Sequence, residues 1–292
     1  MNYTKKYFNI LVLIILITFL ISGCVDLENS RTTNSSNKSL EFTVHYIDIG
    51  QGDSELIQVN GKNLLIDAGP TKNTDKLLSY LDSIDIKKLD YVIATHPDED
   101  HIGGMSTVIN TYPINKFYAP KKTVTTKTFE NMITELKSKN MKIDVPKPGM
   151  QLDLGENTKA EILAPNSNKY EDTNNYSIVL KISYGNTKFL FTGDAEKLSE
   201  REILDKNYDI SADVLKIGHH GSSTSTSDEF WDKVSPDIAV ISCAADNKYG
   251  HPHKETLRKL KKRNIRIYRT DIDGSIVIIS DGKDIVKKSN DS

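Results

Sequence analysis

From residue 41 onward, apolar and polar positions alternate in short runs, predicting strands over 42–49, 54–59 and 63–67 with Asn60-Gly61 as a hairpin turn. The period then lengthens. It predicts a helix over 74–83, a strand over 91–94, a strand near 116–119 and a helix over 127–138. The second half repeats the alternation, with strands over 160–163, 177–183 and 189–192, a helix over 196–204, and strands over 213–217 and 238–242. A helix from His253 and two last strands, 265–268 and 275–279, complete the pattern. Strand meanders mixed with strand–helix units predict an α/β chain, two sheets packed face to face with helices outside. Neither a second domain nor a short tandem repeat is visible.

The first 23 residues depart from this pattern. Lys5 and Lys6 precede an apolar stretch over 8–22, too short for a membrane span and right for a signal-peptide core. Ile21-Ser22-Gly23-Cys24 resembles a bacterial-type lipobox, which implies lipidation of Cys24 as the first mature residue. The alternative is an uncleaved anchor helix. In either case the remainder is expected at the outer face of the membrane. Residues 28–39 are polar and without apolar period, so 24–39 reads as a lipidated cysteine and flexible tether before a folded domain over 40–292.

Composition adds limits. A 292-residue chain with 37% hydrophobic content can build a full core. With Cys24 lipidated, only Cys243 remains, so no disulfide forms within the mature chain. Loss of residues 1–23 removes two lysines and no acids, leaving 36 basic against 40 acidic residues, a net charge of −4. That excludes a general polyanion binder. One local exception runs from Lys254 to Arg269, where eight basic residues face the single acid Glu255. It reads as a solvated amphipathic helix or as a phosphate-facing rim.

Of seven histidines, six fall in three pairs, His96/His101, His219/His220 and His251/His253, each just beyond an apolar run. In Thr95-His96-Pro97-Asp98-Glu99-Asp100-His101, four metal-ligand types occupy six positions, followed by Gly103-Gly104 where backbone must come close. His96 and Asp98 alternate along extended backbone while Asp100 and His101 begin the next turn, so one loop can serve two neighbouring cations. Phe191-Thr192-Gly193-Asp194 delivers another acid at a strand end, and Ile217-Gly218-His219-His220-Gly221 two more imidazoles.

The pattern HxDxDH resembles the metal-binding signature of the metallo-β-lactamase superfamily, with Asp98 in place of the usual histidine. The resemblance implies an αββα sandwich over about 41–282. It also implies that Asp194 bridges both metals and that Asp67, in Ile66-Asp67-Ala68-Gly69, holds the ligand loop without binding metal. His219 is the favoured further ligand, with His220 nearer substrate or behind the ligands; adjacent histidines are not separable by sequence. His251 reads as a ligand or as a proton donor. Asp100, His220 and His251 are the candidates for catalytic work. Gly50-Gln51-Gly52-Asp53 reads as a structural turn. Two cations roughly 3.5–4 Å apart lower the pKa of a bridging water. Zn2+ is the family's habit, and Asp98 shifts the preference toward Mn2+.

The ordered set IDIGQGDS, LLIDAG, THPDEDHIGG, NNYSIVL, FTGD, LKIGHHGS and NKYGHPH is similar to the extracellular hydrolase domain of ComEC-type competence proteins. That implies a surface-tethered phosphodiesterase or nuclease acting on a phosphodiester, single-stranded DNA among the candidates, with a membrane channel as a candidate partner. The alternatives are a phosphorylcholine-esterase-like hydrolase of surface polymers and a non-catalytic surface binding module.

Overall fold

The computed structural model describes residues 41–289; the expected signal segment, Cys24 and tether lie outside them. The first half gives β1 (Phe42–Tyr46), β2 (Glu55–Val59), β3 (Lys62–Ile66), α1 (Thr74–Ser83), β4 (Leu89–Ile93), α2 (Glu99–Ile102), α3 (Met105–Thr111), β5 (Ile114–Tyr118), α4 (Lys127–Ser138) and β6 (Ile143–Asp144). The second half gives β7 (Gln151–Leu152), β8 (Thr158–Ala164), β9 (Val179–Tyr184), β10 (Thr187–Phe191), α5 (Lys197–Asp205), β11 (Val214–Lys216), α6 (Asp228–Val234) and β12 (Ile238–Ile241). Then follow α7 (Lys254–Lys262), β13 (Arg266–Arg269), α8 (Thr270–Asp273), β14 (Ile276–Ser280) and β15 (Ile285–Lys287). No helix among the described residues is long and apolar enough to cross a membrane.

Two sheets result, ordered β15-β14-β1-β2-β3-β4-β5-β6 and β13-β12-β11-β10-β9-β8-β7. Where both faces are covered, strands are apolar on successive residues, as at Leu64-Leu65-Ile66 and Phe189-Leu190-Phe191. In β3, Leu64 and Ile66 enter the layer between the sheets while Leu65 joins the cluster under α1 and α3. In β10, Phe189 and Phe191 face the same middle layer and Leu190 faces the cluster shared with α5 and α6. The expected sandwich with helices outside is the one observed.

Several boundaries differ from expectation. β1 stops at Tyr46, and Ile47 N–H instead donates to Ser54 O, closing the turn to β2. Ser177 is not in a strand; it caps a 3-10 turn over 173–176. Helices α3 and α6 and the two-residue edge strands are too short for periodicity to register. The last strands do not close the second half: β13 does, but β14 returns to the first sheet, antiparallel to β1 with Phe42 opposite Ser280. The basic stretch forms α7, which buries Thr256 and Leu260 while Lys259 and Arg263 pair with Asp228 of α6, as a solvated amphipathic helix does.

Parallel pairing sets the site. β3, β4 and β5 run parallel in one sheet, as do β10, β11, β12 and β13 in the other. The carboxyl ends of β3, β4, β10 and β11 therefore open toward one edge of the sandwich, the usual ligand position in α/β sheets.

Candidate metal centre

Asp67 follows β3 in a left-handed backbone conformation and is fully buried. Its Oδ1 accepts the Thr95 N–H at 2.8 Å, and its Oδ2 accepts the Thr95 hydroxyl at 2.6 Å and His101 Nδ1–H at 2.7 Å. With both oxygens engaged, the carboxylate fixes the loop after β4. That loop also packs against the turn before β2: Asp53 N–H donates to Asp100 O, and a Cβ on Gly52 would collide with the same carbonyl. Glycine is needed there for the close approach.

Four imidazoles converge on one atom. The Nε2 atoms of His101, His220, His219 and His96 lie 3.3, 3.5, 3.7 and 4.0 Å from Asp194 Oδ2. Each ring is aimed by its other nitrogen. His101 Nδ1 donates to Asp67, His220 Nδ1 to Ser242 O at 3.0 Å, and His96 Nδ1 lies 3.1 Å from the Thr95 hydroxyl, whose own proton goes to Asp67. His219 Nδ1 sits 3.3 Å from Glu196 Oε1 and 3.2 Å from Thr224 Oγ1. Asp98 Oδ2 is 3.8 Å from His96 Nε2, and Asp100 Oδ2 is 3.4 Å from His220 Nε2.

Neighbouring residues His219 and His220 both reach Asp194 because both are left-handed, at φ 48° and 52°. Such a backbone costs about 1–3 kcal/mol per residue and persists only where its surroundings enforce it. The expectation put His219 ahead of His220. The structure buries His220 beside Asp100 and Asp194 and leaves His219 partly exposed next to Glu196. His251, in the loop after β12, has its ring 5.3 Å from that of His219 and a buried Nδ1 without a hydrogen-bond partner.

Asp53 is a correction to the purely structural reading of its turn. Its carboxylate is buried beneath the site, Oδ1 3.2 Å from His220 Nδ1 and Oδ2 2.7 Å from the ammonium of Lys216, which is buried on β11 in the opposite sheet. Ser177 was also missed; its hydroxyl accepts the Asp194 N–H at 3.1 Å. Lys216 did leave a signal, a charge inside an otherwise apolar strand.

The donor set fits cations. Two ligand atoms each about 2.1 Å from one ion at a tetrahedral angle stand about 3.4 Å apart, and the nitrogen–oxygen separations here run from 3.3 to 4.0 Å. The buried Nε2 atoms of His96, His101 and His220, and Asp194 Oδ1, have no hydrogen-bond partner. Burial opposes protonation of His101 and His220, but Asp194 with Asp67 raises the first well above the usual imidazole range, and Asp194 with Asp53 and Asp100 raises the second to about 10. Burial and the neighbouring His101 lower His96 to about 4; burial and the neighbouring histidines lower His251 likewise to about 4. Burial alone would raise Asp194, yet His220 and His101 hold it well below the carboxylate range.

The family profile described as Metallo-beta-lactamase superfamily matches residues 47–245. The chain is 34% identical over 256 residues to ComE operon protein 3 of Bacillus subtilis, covering 82% of this chain and 33% of that protein. It is 30% identical over 240 residues to Recombination protein 2 of Haemophilus influenzae, covering 80% and 28%. The chain thus spans about a third of the length of these curated relatives. Among solved structures, Igni18, a metallo hydrolase from Ignicoccus hospitalis, is similar with a TM-score of 0.53 at 15% identity, covering 80% of this chain and 98% of that one. At that identity the likeness is one of fold.

Proposed function

The chain belongs to the metallo-beta-lactamase superfamily, and from that premise we propose that it is a two-cation phosphodiesterase or nuclease tethered at the outer face of the cell membrane through Cys24. The observation that carries the reading is the convergence of four imidazole Nε2 atoms on Asp194 Oδ2, with Asp98 and Asp100 alongside. One cation would be held by His96, Asp98 and Asp194, the other by Asp100, His101, His220 and Asp194. This exchanges the expected roles of His219 and His220. Bound there, two divalent ions, Zn2+ or Mn2+, would lower the pKa of a water and neutralise charge developing on a phosphoryl group.

The remaining work falls to side chains of the chain itself. Asp67 and Thr95 orient His101 and His96, and the Ser242 carbonyl orients His220, with the Asp53 carboxylate beside its ring. His219, on the open side, presents an imidazole to a phosphate oxygen while Glu196 and Thr224 fix its tilt. His251 has a free Nδ1; a neutral imidazole still carries one N–H for a departing oxygen. The similarity to ComE operon protein 3 and Recombination protein 2 supports a DNA-related substrate, with a membrane channel as a partner to look for.

The test uses the purified full chain, stripped of metal and restored with Zn2+ or Mn2+, on bis(p-nitrophenyl) phosphate and on labelled single-stranded DNA. Asp194→Asn serves as control. Cleavage by the wild type, lost in the variant with its circular dichroism unchanged, is the expected result. Metal binding without cleavage of either substrate would overturn the phosphodiesterase reading.

A further inference from the structure

Beside the proposed ligands lies a cleft of about 700 Å3, within the about 300–1,000 Å3 range of small-ligand sites. Asp98 and Asp100 line it together with Lys72, Lys248 and Tyr249. Tyr249 is 51% exposed, and of the five large apolar side chains exposed among the described residues it is the one aromatic. A tyrosine left out on a loop by chance would turn freely. This one is held.

Its ring lies 5.6 Å from the His251 ring, the two planes 21° apart, so one face is backed by an imidazole of the site. Asn247 ties the loop. Its Oδ1 accepts the N–H groups of Tyr249 and His251, and its Nδ2 donates to the carbonyls of Ala244 and His251. His253 Nε2 stands 3.3 Å from the Tyr249 carbonyl oxygen, and the Lys248 ammonium lies 4.9 Å from the Tyr249 ring centroid. A held aromatic with an imidazole against one face and a flexible lysine's ammonium over the ring, next to the proposed phosphoryl-cleaving centre, has the chemistry of a base-stacking platform once that ammonium swings off the ring to a phosphate.

Charge selects when such a ligand can enter. Four carboxylates, Asp98, Glu99, Asp100 and Asp246, face two ammonium groups, Lys72 and Lys248, giving the cleft −2 before any cation binds. Two divalent ions on Asp98 and Asp100 would reverse that sign, so a polyanion is admitted only by the loaded protein.

We propose that Tyr249 stacks one unpaired base of a single-stranded nucleic acid next to the scissile phosphate, with Lys248 and Lys72 meeting the adjoining phosphates. A base inside a duplex has both faces covered by its neighbours, so only an unstacked one can lie on the ring. The proposal rests on the phosphodiesterase reading and adds the side chain that holds the base.

The test compares a 12-nucleotide single strand with an abasic strand of the same length, using wild type, Tyr249→Phe and Tyr249→Ala full chains loaded with Mn2+. Cleavage is followed as kcat/KM, and binding by fluorescence anisotropy with Mn2+ and with EDTA. Expected is a preference of about 5- to 150-fold for the base-bearing strand in the wild type, kept by Tyr249→Phe and erased in Tyr249→Ala, with binding lost in EDTA. An equal preference in Tyr249→Ala, no preference in the wild type, or faster cleavage of duplex would overturn it. If no strand is cleaved, the phosphodiesterase reading falls separately, and the anisotropy ratio still decides whether Tyr249 holds a base.

Discussion

Replacing Lys216 by methionine tests how the site is supported from below. The ammonium is 2.7 Å from Asp53 Oδ2 and donates to Ile217 O, and both ionic side chains are about 1% exposed. Methionine fills the aliphatic volume but leaves the carboxylate with only His220 Nδ1 at 3.2 Å. Breaking a buried pair on one side costs about 3–5 kcal/mol. The loss has a ceiling, because Asp53 can take up a proton instead. At pH 7 that neutralisation costs about 1.4 kcal/mol for each of the roughly three units above the carboxyl's ordinary 3.9, or about 4 kcal/mol. The sign follows. In the wild type, burial would raise Asp53, but Lys216 and His220 win and depress it, so its stabilisation is present above the unfolded pKa and lost on acidification. In the variant the folded carboxyl is raised, so the penalty is full at pH 7 and shrinks to about 1.5 kcal/mol at pH 5. Urea unfolding of the metal-free chain, followed by circular dichroism at both pH values, reads these numbers; Asp53→Asn/Lys216→Met should recover at least half of the loss at pH 7. A single-variant loss under about 1 kcal/mol, a loss that does not shrink at pH 5, or a double variant costing the sum of both singles would refute the reasoning.

Other outcomes follow from the same geometry. Asp67→Asn, which removes a charge holding His101 and Thr95, should weaken Mn2+ or Zn2+ binding by about 10- to 100-fold in calorimetric titration while the circular dichroism spectrum is kept. Because His101 and His220 hold protons in the metal-free site, loading at pH 7 should release on the order of two protons, read as a dependence of binding enthalpy on buffer ionisation; no release would contradict the ligand assignment. His220→Ala should lower the metal content of the purified chain more than His219→Ala, since His220 is buried between Asp100 and Asp194; the reverse order, by elemental analysis, would restore the original ranking. Asp194→Asn should lower hydrolysis by about a thousandfold, the equivalent of several kcal/mol of charge stabilisation.

What the sequence disclosed was whatever is local. His96 to His101 are legible because four ligand types share one loop, and Asp194 because an apolar strand carries it to a glycine turn. The sandwich was legible because strand meanders mix with strand–helix units, an order that suits two packed sheets with helices outside. The pairing of Asp53 with Lys216 was not, since it joins two sheets; the charge of Lys216 inside an apolar strand signals a partner without saying which. Which of His219 and His220 is the more buried was hidden for another reason: it depends on two consecutive left-handed residues, a conformation that non-glycine side chains do not advertise. The return of β14 to β1 is a long-range pairing that no run of alternation specifies.

The centre draws on both sheets, with Asp67, His96, Asp98, Asp100 and His101 from one and Asp194 and His220 from the other. Ions held between them would act as rivets across the sandwich as well as reagents. At a thousandfold excess of metal over its dissociation constant, occupancy adds about 4 kcal/mol to folding. Resistance to heat and proteolysis should therefore follow the surrounding metal supply, and a chain starved of metal would lose stability margin and turnover together.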